Sequence, residues 1–441
     1  MAAQGMTPLA GGTRLLASER ELPNVLDLWG LGLAGLSMDD SDLVLGATTT
    51  LQDVLDSPLA WAATAGLLPA ACHAHSASRM LRGMATVGGE SAYAAHDSEV
   101  AAALLALNAV FVVQRPDGTM EVPALRFLRD PREDLAGGGL LTSLFVPGAP
   151  DGAALERVAV LPSAPPLVAV AVALSLSGGK CSRARIAVTG LKGPPARVTE
   201  AEERIEQTAA GDEDVLSSAQ HVARAAFRDD GHAPAGYRSE AARVLALRAL
   251  RRAVAMARAG APLLPPRPWR ALPERVPVTM PYFTSGRINL VVNGTPLHPD
   301  VEARTTLLDL LRRLGYWGVK HGCETGECGA CAVLIDGRPV NSCLTLALRA
   351  AGRHVLTVEG LGTPDRLHPV QAAFVDSGAI QCGYCTPAME LCAKALLDSV
   401  PEPTEAEVRD ALAGCLCRCT GYVKPVQAVL QAAAALTPSR G

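Results

Sequence analysis

The chain has 441 residues, more than one hydrophobic core usually organises, so we expect several domains. Its formal net charge of -4 excludes the basic surface of a dedicated nucleic-acid-binding protein. Hydrophobic residues make up 49 %, yet no apolar run approaches the roughly 20 residues of a membrane span, and the first residues carry no export signal. We therefore expect a soluble, cytoplasmic protein.

Residues 1–160 alternate short apolar runs with helical stretches rich in alanine and leucine. Leu43–Ala47 and Ala109–Val113 are predicted strands, and Glu99–Leu107 is a predicted helix. This alternation is typical of an α+β or α/β domain.

Residues 161–260 indicate a second unit of mixed structure. Leu167–Leu174 and Arg185–Thr189 are predicted strands, whereas Glu200–Ala209 and Ser239–Ala257 are predicted helices. We therefore expect a separate α+β subdomain.

A proline-rich segment, residues 261–285, separates a cysteine-poor part of the chain from a cysteine-rich part. Proline fixes φ and removes a backbone donor, which disfavours both helix interiors and central strands. The segment is therefore a predicted linker.

The cysteine-rich part opens with a hairpin signal at Asn293-Gly294, the dipeptide best suited to a type I′ turn. Thr306 then caps a predicted helix that ends at Gly315. Further on, the pattern turns helical over Gln371–Val375, Ala388–Leu397 and Glu405–Ala413.

Ten of the twelve cysteines fall between Cys323 and Cys419, and tight cysteine spacing in a reducing compartment favours metal ligation over disulfides. The first set has the C-x4-C-x2-C spacing of plant-type ferredoxins followed by a fourth cysteine. Its members are Cys323, Cys328, Cys331 and Cys343. Gly322, Gly326 and Gly329 would let backbone N–H groups approach the sulfur atoms. A structural zinc site is the alternative, although zinc sites usually pair two short C-x2-C hooks.

A second set reads C-x2-C, a helical stretch and then C-x-C, and its members are Cys382, Cys385, Cys417 and Cys419. Pro387 suits a helix N-terminus, whose backbone dipoles favour thiolates. Spacing alone leaves Cys415 as an alternative ligand. Cys392, Cys72 and Cys181 are expected to be packing cysteines.

The histidines give weaker signals. His321 precedes the first set, but all four ligand positions there are occupied by cysteine, so we assign it no ligand role. His73 and His75 have no third ligand nearby, and a loop is the favoured interpretation for them.

Two glycine motifs lie in the N-terminal part, PLAGGTRLL at residues 8–16 and MLRGMATVGGESA at residues 80–92. Paired glycines let the backbone approach a pyrophosphate and donate N–H groups to its oxygens. Either pair alone would more often be a turn, whereas both together favour a nucleotide site.

The segments GCETGECGACAVLIDG, QCGYCTPAM and CLCRCTGY are distinctive. They resemble the iron-sulfur subunit of molybdenum hydroxylases, the xanthine dehydrogenase and aerobic carbon monoxide dehydrogenase family, over residues 286–436. The resemblance implies a plant-type ferredoxin β-grasp domain (286–363) and an all-α 2Fe-2S bundle (364–437). It places the last two ligands on Cys417 and Cys419, and it implies that Gln381 touches a molybdopterin cofactor held by a partner subunit.

The N-terminal half resembles the FAD-binding subunit of the same enzymes. This implies a flavin-binding α/β domain at 1–160 and, from ARIAVTGLKGPPAR, its C-terminal α+β subdomain at 161–260, within a multidomain α+β chain. The implied FAD contacts are Ala10, Gly11, Gly12, Thr13, Arg14, Arg82, Thr86, Val87, Gly88, Gly89 and Asp97. Two departures stand out: few residues precede Gly11, so we expect a shorter adenine-side wall, and Glu90 replaces a common asparagine.

The resemblance implies an electron-transfer subunit with two 2Fe-2S clusters and FAD, and with no catalytic residue of its own. A large molybdopterin-binding partner would oxidise the substrate, and a dimer of such heteromers is expected. Three alternatives stay open: an iron-sulfur relay with a vestigial flavin domain, a stand-alone diaphorase-like reductase, and a zinc-binding structural module.

Overall fold

A computed structural model describes residues 6–18, 24–93, 95–161, 164–260 and 283–436. Residues 261–282, most of the predicted linker, lie outside the described residues. Within the described ranges, no helix is long and apolar enough to cross a membrane.

The first unit combines strands with short helices. Its elements are β1 (Thr7–Leu9), β2 (Val25–Asp27), β3 (Leu36–Asp39), β4 (Asp42–Gly46), α1 (Leu51–Asp56), α2 (Pro58–Ala63), α3 (Leu67–His75), α4 (Arg79–Arg82), α5 (Val87–Tyr93), α6 (Glu99–Ala106), β5 (Val110–Arg115), β6 (Gly118–Pro123), α7 (Ala124–Phe127), α8 (Pro131–Leu135) and β7 (Leu140–Val146). β1 and β2 pair in parallel, whereas the five-stranded sheet β3-β4-β7-β5-β6 is antiparallel throughout. This pairing identifies the unit as α+β and not α/β.

The predicted elements of the first unit are confirmed, and their side-chain pattern explains why. Along β5, Phe111 and Val113 point inward and are fully buried, as expected for a strand with one covered face. Phe111 stacks on Phe127 with ring centroids 4.3 Å apart. Ser98 caps α6, whose residues are buried all round, so this helix runs through the core.

The second unit is an antiparallel sheet covered by helices. Its elements are β8 (Gly152–Val158), β9 (Val168–Ser177), β10 (Lys180–Val188), β11 (Ala196–Arg197), α9 (Thr199–Glu203), α10 (Asp212–Val222) and α11 (Ala235–Ala259). The strand order is β11-β10-β9-β8, and side chains of α10 and α11 join those of β9 and β10 in one hydrophobic core. The predicted strands and the long helix are confirmed.

The predicted helix Glu200–Ala209 is wrong beyond Glu203, and α10 was missed. Two hydrogen bonds hold the chain onto β10 at this point: Gln207 N–H donates to the Cys181 carbonyl at 2.7 Å, and Cys181 N–H donates to the Thr208 carbonyl at 2.8 Å. Gln207 has a φ of 64°, which no α-helix accommodates. Tertiary pairing therefore overrides helix propensity here.

The third unit is a small mixed sheet with one helix against it. Its elements are β12 (Ser285–Arg287), β13 (Leu290–Val292), β14 (Thr295–Leu297), β15 (Asp300–Glu302), α12 (Leu307–Arg313), β16 (Ala332–Ile335), β17 (Arg338–Asn341) and β18 (His354–Leu356). The order of its main sheet is β14-β13-β18-β16-β17, with β13 and β18 parallel. Asn293 and Gly294 have φ values of 50° and 81°, which confirms the predicted turn. Thr306 caps α12 as predicted.

The fourth unit consists of helices α13 (Pro369–Asp376), α14 (Thr386–Ser399), α15 (Glu405–Leu412) and α16 (Val423–Leu436). Three of them were predicted, and α16 was not. The four helices share one core with Phe374, Leu396 and Val429 fully buried. This bundle holds the second cysteine set in the turns that precede α14 and α16.

Candidate functional site

The first cysteine set lies at one end of the mixed sheet of the third unit. Cys323, Cys328 and Cys331 occupy the loop that leads into β16, and Cys343 lies in the 3-10 turn after β17. Ala332 pairs with Asn341 across these two strands, so the hairpin brings Cys331 and Cys343 together. Both are buried, whereas the other two cysteines are half-buried.

Glycines let the first loop curl tightly, as the sequence predicted. Gly326 and Gly329 have φ values of 80° and 67°, a region that side chains other than glycine rarely adopt. A Cβ on Gly322 would lie 2.6 Å from the sulfur of Cys328. The N–H of Cys328 donates to the sulfur of Cys323 at 3.3 Å, so the loop directs a backbone donor at a thiolate.

The thiols of the first set form two pairs. Cys323 interacts with Cys328, and Cys331 interacts with Cys343. Their mutual hydrogen bond lowers the pKa of Cys331 to about 7 and raises the pKa of Cys343. Four cysteines on one loop and one hairpin fit the four-cysteine ligand set of a 2Fe-2S cluster.

The second cysteine set lies on the fourth unit, where two turns meet. Cys385 is the N-cap of α14 and Pro387 lies in its first turn, as predicted. Cys417 and Cys419 come from the turn between α15 and α16. The thiol of Cys382 pairs with that of Cys419, and Cys385 pairs with Cys417. Hydrogen bonds from the Tyr384 backbone and from Cys419 lower the pKa of Cys382. This set also divides into two pairs.

The second set opens to the surface. Cys382 is exposed, and a cavity of about 240 Å³ is lined by Gln381, Cys382, Cys385, Cys417 and Cys419 among others. Gln381, predicted to touch a cofactor of a partner, is therefore exposed beside the thiols. The first set, by contrast, has two buried members, so the two sets differ in access.

The two sets are joined by short backbone contacts. Leu416, next to Cys417, donates its N–H to the carbonyl oxygen of Cys328 at 2.9 Å. The hydroxyl of Tyr384 also donates to the carbonyl of His321. The backbone path from Cys328 of the first set to Cys417 of the second set therefore crosses one hydrogen bond and one residue, Leu416.

The remaining cysteines lie in the interior, as predicted. Cys392 and Cys415 are each 1 % exposed, and their sulfur atoms are 3.7 Å apart. Burial raises the pKa of Cys181 to about 11, and Cys72 is also fully buried. Cys415 therefore contacts a packing cysteine in the core of the bundle. Among the described residues, no three His, Cys, Asp or Glu side chains converge at the spacing of a single metal ion.

The two glycine motifs come together in the first unit. A Cβ on Gly11 would overlap the carbonyl oxygen of Met84, and a Cβ on Gly89 would touch Ala10 at 3.9 Å. A side chain on Gly11 would therefore block this approach of the first motif to the backbone of the second. The packing brings the backbones of the two motifs side by side.

The two motifs differ in their available donors. Val87 and Gly88 donate to the carbonyls of Thr49 and Ala47, both at 2.9 Å, and Gly89 donates to the Thr86 hydroxyl at 3.1 Å. Within the described part of the chain, by contrast, the N–H groups of Gly11, Gly12 and Thr13 meet no acceptor. The first motif is therefore the one that can offer backbone donors to a ligand.

Arg14 and Glu90 link the ends of the two motifs. Their side chains lie 3.4 Å apart, and His75 approaches the other oxygen of Glu90 at 3.5 Å. Burial lowers the pKa of Arg14, but the charge and hydrogen bond of Glu90, with smaller contributions from Tyr93 and Asp97, outweigh burial and raise that pKa above its usual value. Glu90, the departure noted in the sequence, is thus buried beside the Arg14 guanidinium and the His75 ring.

Arg82 lies on the opposite side of the second motif and is fully buried. Its guanidinium donates to Gln52 at 2.8 Å, to the Ser76 carbonyl at 2.7 Å and to Asp410 of α15 at 2.7 Å. Its donors are thus engaged by protein groups, and its predicted contact with FAD gains no support from this placement. His73, like His75, lies in the last turn of α3, so the loop interpretation of both is wrong.

Sequence reasoning missed the residues that join the first unit to the cysteine-bearing units. Leu81 packs against the Gly326 loop, and Met80 lies 4.0 Å from the sulfur of Cys392. Arg349 of the third unit pairs with Asp27 at 2.8 Å. These contacts join residues about 250 to 320 positions apart, and no local pattern marks them.

Four family models match the chain. They are the FAD binding domain in molybdopterin dehydrogenase at residues 1–149, the CO dehydrogenase flavoprotein C-terminal domain at 163–253, the 2Fe-2S iron-sulfur cluster binding domain at 290–357 and the [2Fe-2S] binding domain at 357–430. Together they account for most of the chain, in the order that the resemblance implied.

Curated relatives match the cysteine-bearing part. The small FeS subunit of nicotinate dehydrogenase from Eubacterium barkeri is 49 % identical over 138 residues, which is 31 % of this chain and 88 % of that protein. The iron-sulfur-binding subunit of aldehyde oxidoreductase from Escherichia coli is 41 % identical over 182 residues, 38 % of this chain and 80 % of that protein.

A solved structure matches more than half of the chain. Reconstituted CO dehydrogenase from Oligotropha carboxidovorans contains a chain with a TM-score of 0.53 and 28 % identity. The match covers 58 % of this chain and 94 % of that one.

Proposed function

Because this chain belongs to the molybdenum hydroxylase family and fuses the flavin and iron-sulfur components of such an oxidoreductase, we propose that it carries electrons away from a molybdopterin-binding partner subunit. Electrons would pass through the second cysteine set, then the first set, then FAD, to an external acceptor. Substrate oxidation itself would take place on the partner.

Each cysteine set is proposed to hold one 2Fe-2S cluster. The first would be bound by Cys323, Cys328, Cys331 and Cys343, and the second by Cys382, Cys385, Cys417 and Cys419. The hairpin that brings Cys331 and Cys343 together, and the single cavity lined by all four cysteines of the second set, support this assignment. Bound clusters would supply one-electron chemistry, and the protein would tune it through burial and through N–H donors such as that of Cys328.

The proximity of the two sets is supported by the hydrogen bond from Leu416 to Cys328, which links the loops that carry them. The second set is the more exposed and can face a partner. Leu81 of the first unit contacts the Gly326 loop, so the first set lies beside the first unit.

The flavin is proposed to bind where the glycine motifs meet, with Ala10, Gly11, Gly12 and Thr13 at its pyrophosphate. The N–H groups of Gly11, Gly12 and Thr13 support this, as does the close packing of Gly11 against the second motif. Among the other predicted contacts, Thr86, Val87, Gly88 and Gly89 would form the opposite wall, whose amide groups already bond within the protein. Arg14 and Asp97 stay predicted contacts at its edge.

The partner is proposed to dock around the second set. Large apolar side chains are exposed there, with Tyr384 47 %, Leu416 53 % and Val423 61 % accessible. Exposed apolar groups clustered at a site commonly mark a protein interface. The predicted role of Gln381 fits this face, because its side chain lies in the cavity beside Cys382.

Iron, acid-labile sulfide and FAD counted per purified chain, with EPR of the reduced protein, test the cofactors. We expect two 2Fe-2S signals; Cys328→Ser should remove one of them and Cys385→Ser the other. A colourless zinc protein would contradict the proposal, and clusters without FAD would indicate an iron-sulfur relay. Oxidation of a reduced nicotinamide by the isolated chain would favour a stand-alone reductase.

Purification from the native host tests the partner. A tagged chain should retain molybdenum and a second, larger chain. Val423→Asp should abolish both while iron stays bound, because a charge would enter the interface. Val160→Asp is the matched control, since Val160 is 70 % exposed on the second unit. Equal molybdenum content in both variants would exclude this face as the docking surface.

A further inference from the structure

Arg349 reaches from the third unit into the first unit. It lies in the 3-10 turn Ala347–Ala350, beyond the first cysteine set. Its Nε and Nη2 donate to the two carboxylate oxygens of Asp27, each at 2.8 Å. Nη2 also donates to the carbonyl oxygen of Ala10 at 2.6 Å. The cysteine-bearing part of the chain therefore contacts the first glycine motif itself.

The carbonyl of Ala10 is held from two sides. The indole N–H of Trp29 donates to the same oxygen at 2.9 Å, and the guanidinium of Arg349 lies 5.2 Å from the centre of the Trp29 ring. The Arg349 side chain is only 13 % exposed, so its charge is poorly screened by water. Two donors, one of them cationic, thus fix one carbonyl oxygen.

The orientation of that carbonyl decides the direction of the next N–H. A trans peptide unit is planar, and its C=O and N–H point in opposite directions. Ala10 C=O and Gly11 N–H belong to one such unit, so fixing the oxygen toward Arg349 directs the N–H of Gly11 away from it. A cation at the oxygen also polarises the peptide and strengthens the N–H as a donor.

We infer that Arg349 is a positioning residue for the flavin: by holding the Ala10 carbonyl, it preorients the N–H of Gly11 toward the pyrophosphate of FAD. The inference rests on the proposed function, because it requires FAD at the glycine motifs. In consequence, the flavin site is completed by the domain that carries the first cysteine set. Preorientation lowers the cost of ordering the loop when FAD binds.

Titration of deflavinated protein with FAD tests the inference. Arg349→Met removes the guanidinium and keeps an apolar stem, and we expect the Kd for FAD to rise about tenfold or more. Asp27→Asn is the discriminating variant, because it weakens the ion pair but leaves Arg349 free to hold Ala10. We expect its Kd to stay within about twofold of the wild type, and likewise for Arg304→Met, whose side chain is 89 % exposed on the same unit.

Iron content, measured on every variant, reports whether the third unit is intact. If Arg349→Met loses iron, Arg349→Lys serves instead, since it keeps the charge but lacks the fork that holds Asp27 and Ala10 together. A higher Kd for FAD in the lysine variant, with the iron content of the wild type, would support the inference.

Each remaining outcome is decisive against it. Unchanged FAD affinity in Arg349→Met or in an iron-replete Arg349→Lys overturns the role of Arg349 and leaves the proposed function intact. An equal rise of the Kd for FAD in Asp27→Asn and Arg349→Met would indicate that the ion pair merely holds the two units together. That result also overturns the inference. A wild-type chain that holds iron but binds no FAD overturns both this inference and the flavin part of the proposed function.

Discussion

Asp410→Asn tests whether charge holds the helical unit against the first unit. Asp410 lies on α15, and its carboxylate is 2.7 Å from Arg82 and 3.5 Å from Arg79, both on α4. Arg82 is fully buried, so its charge has no access to water. Removal of the opposite charge leaves that guanidinium without its counter-ion in a medium of low polarity.

The expected loss follows from the burial of the pair. Breaking a fully buried ion pair costs about 3–5 kcal/mol, whereas an exposed pair contributes about 0–1 kcal/mol. The Asp410 side chain is 28 % exposed, which places the pair between these limits. Because the neutral amide oxygen of asparagine still accepts a hydrogen bond from the Arg82 guanidinium, we expect a loss of about 2 kcal/mol.

The Asp410 carboxylate should stay ionised near neutral pH. Burial alone would raise the pKa of Asp410, but its hydrogen bond with His73 and the charges of Arg82 and Arg79 outweigh burial and hold the pKa well below its usual range. A folded-state pKa below the unfolded value gives stabilisation that is present above about pH 4 and is lost in more acidic solution. The comparison of wild type and variant is therefore made at one fixed pH of about 7.

Urea unfolding followed by cluster absorbance measures the free energy of unfolding for this comparison. Asp398→Asn is the matched control, because Asp398 is 55 % exposed on the same bundle and pairs with Lys394 along one helix. Its loss should stay below about 0.5 kcal/mol. An Asp410→Asn variant as stable as the wild type, or no more affected than the control, would refute the ionic contact between units.

Two further substitutions follow from the same structure. Gly11→Ala should release FAD and keep both clusters, because its Cβ would overlap the Met84 carbonyl. Gly193→Ala is the control and should keep FAD, since a Cβ there meets open space. Equal flavin content in the two variants would contradict a flavin site at the glycine motifs. Burial raises the pKa of Glu390 to about 7, partly offset by a hydrogen bond with Gln371, so wild-type stability should fall as pH rises from about 5 through 7. Glu390→Gln should flatten that slope in urea midpoints, and an unchanged slope would show that another group titrates.

Much of the cysteine-bearing part could be predicted from the sequence, because its structure depends on local chemistry. Cysteine spacing, the glycines among the ligands and the Asn293-Gly294 turn each encode their geometry within a few residues, because φ preferences and ligand spacing are local properties. The hairpin turn, the cap at Thr306 and the helix N-terminus at Pro387 are confirmed for this reason. Helix α16 was missed, since proline in its first turn resembles a break.

The contacts of the first unit were harder to predict from the sequence, because they join residues that are far apart along the chain. The glycine motifs were visible, but the engagement of Arg82 with Asp410 joins residues 328 positions apart. The helix predicted over Glu200–Ala209 failed for a similar reason, since hydrogen bonds to β10 redirect the chain at Gln207. Propensity describes an isolated segment, and tertiary hydrogen bonds can outweigh it.

The order of amino acids specifies which chemical groups are present and which short loops carry them: eight cysteines in two sets and two glycine pairs. How these loops face one another depends on packing between the units. Two hydrogen bonds arise from this packing: Leu416 donates to the Cys328 carbonyl, and Arg349 donates to the Ala10 carbonyl. Such contacts depend on which surfaces bury each other when the whole chain folds, and that is a property of no single segment.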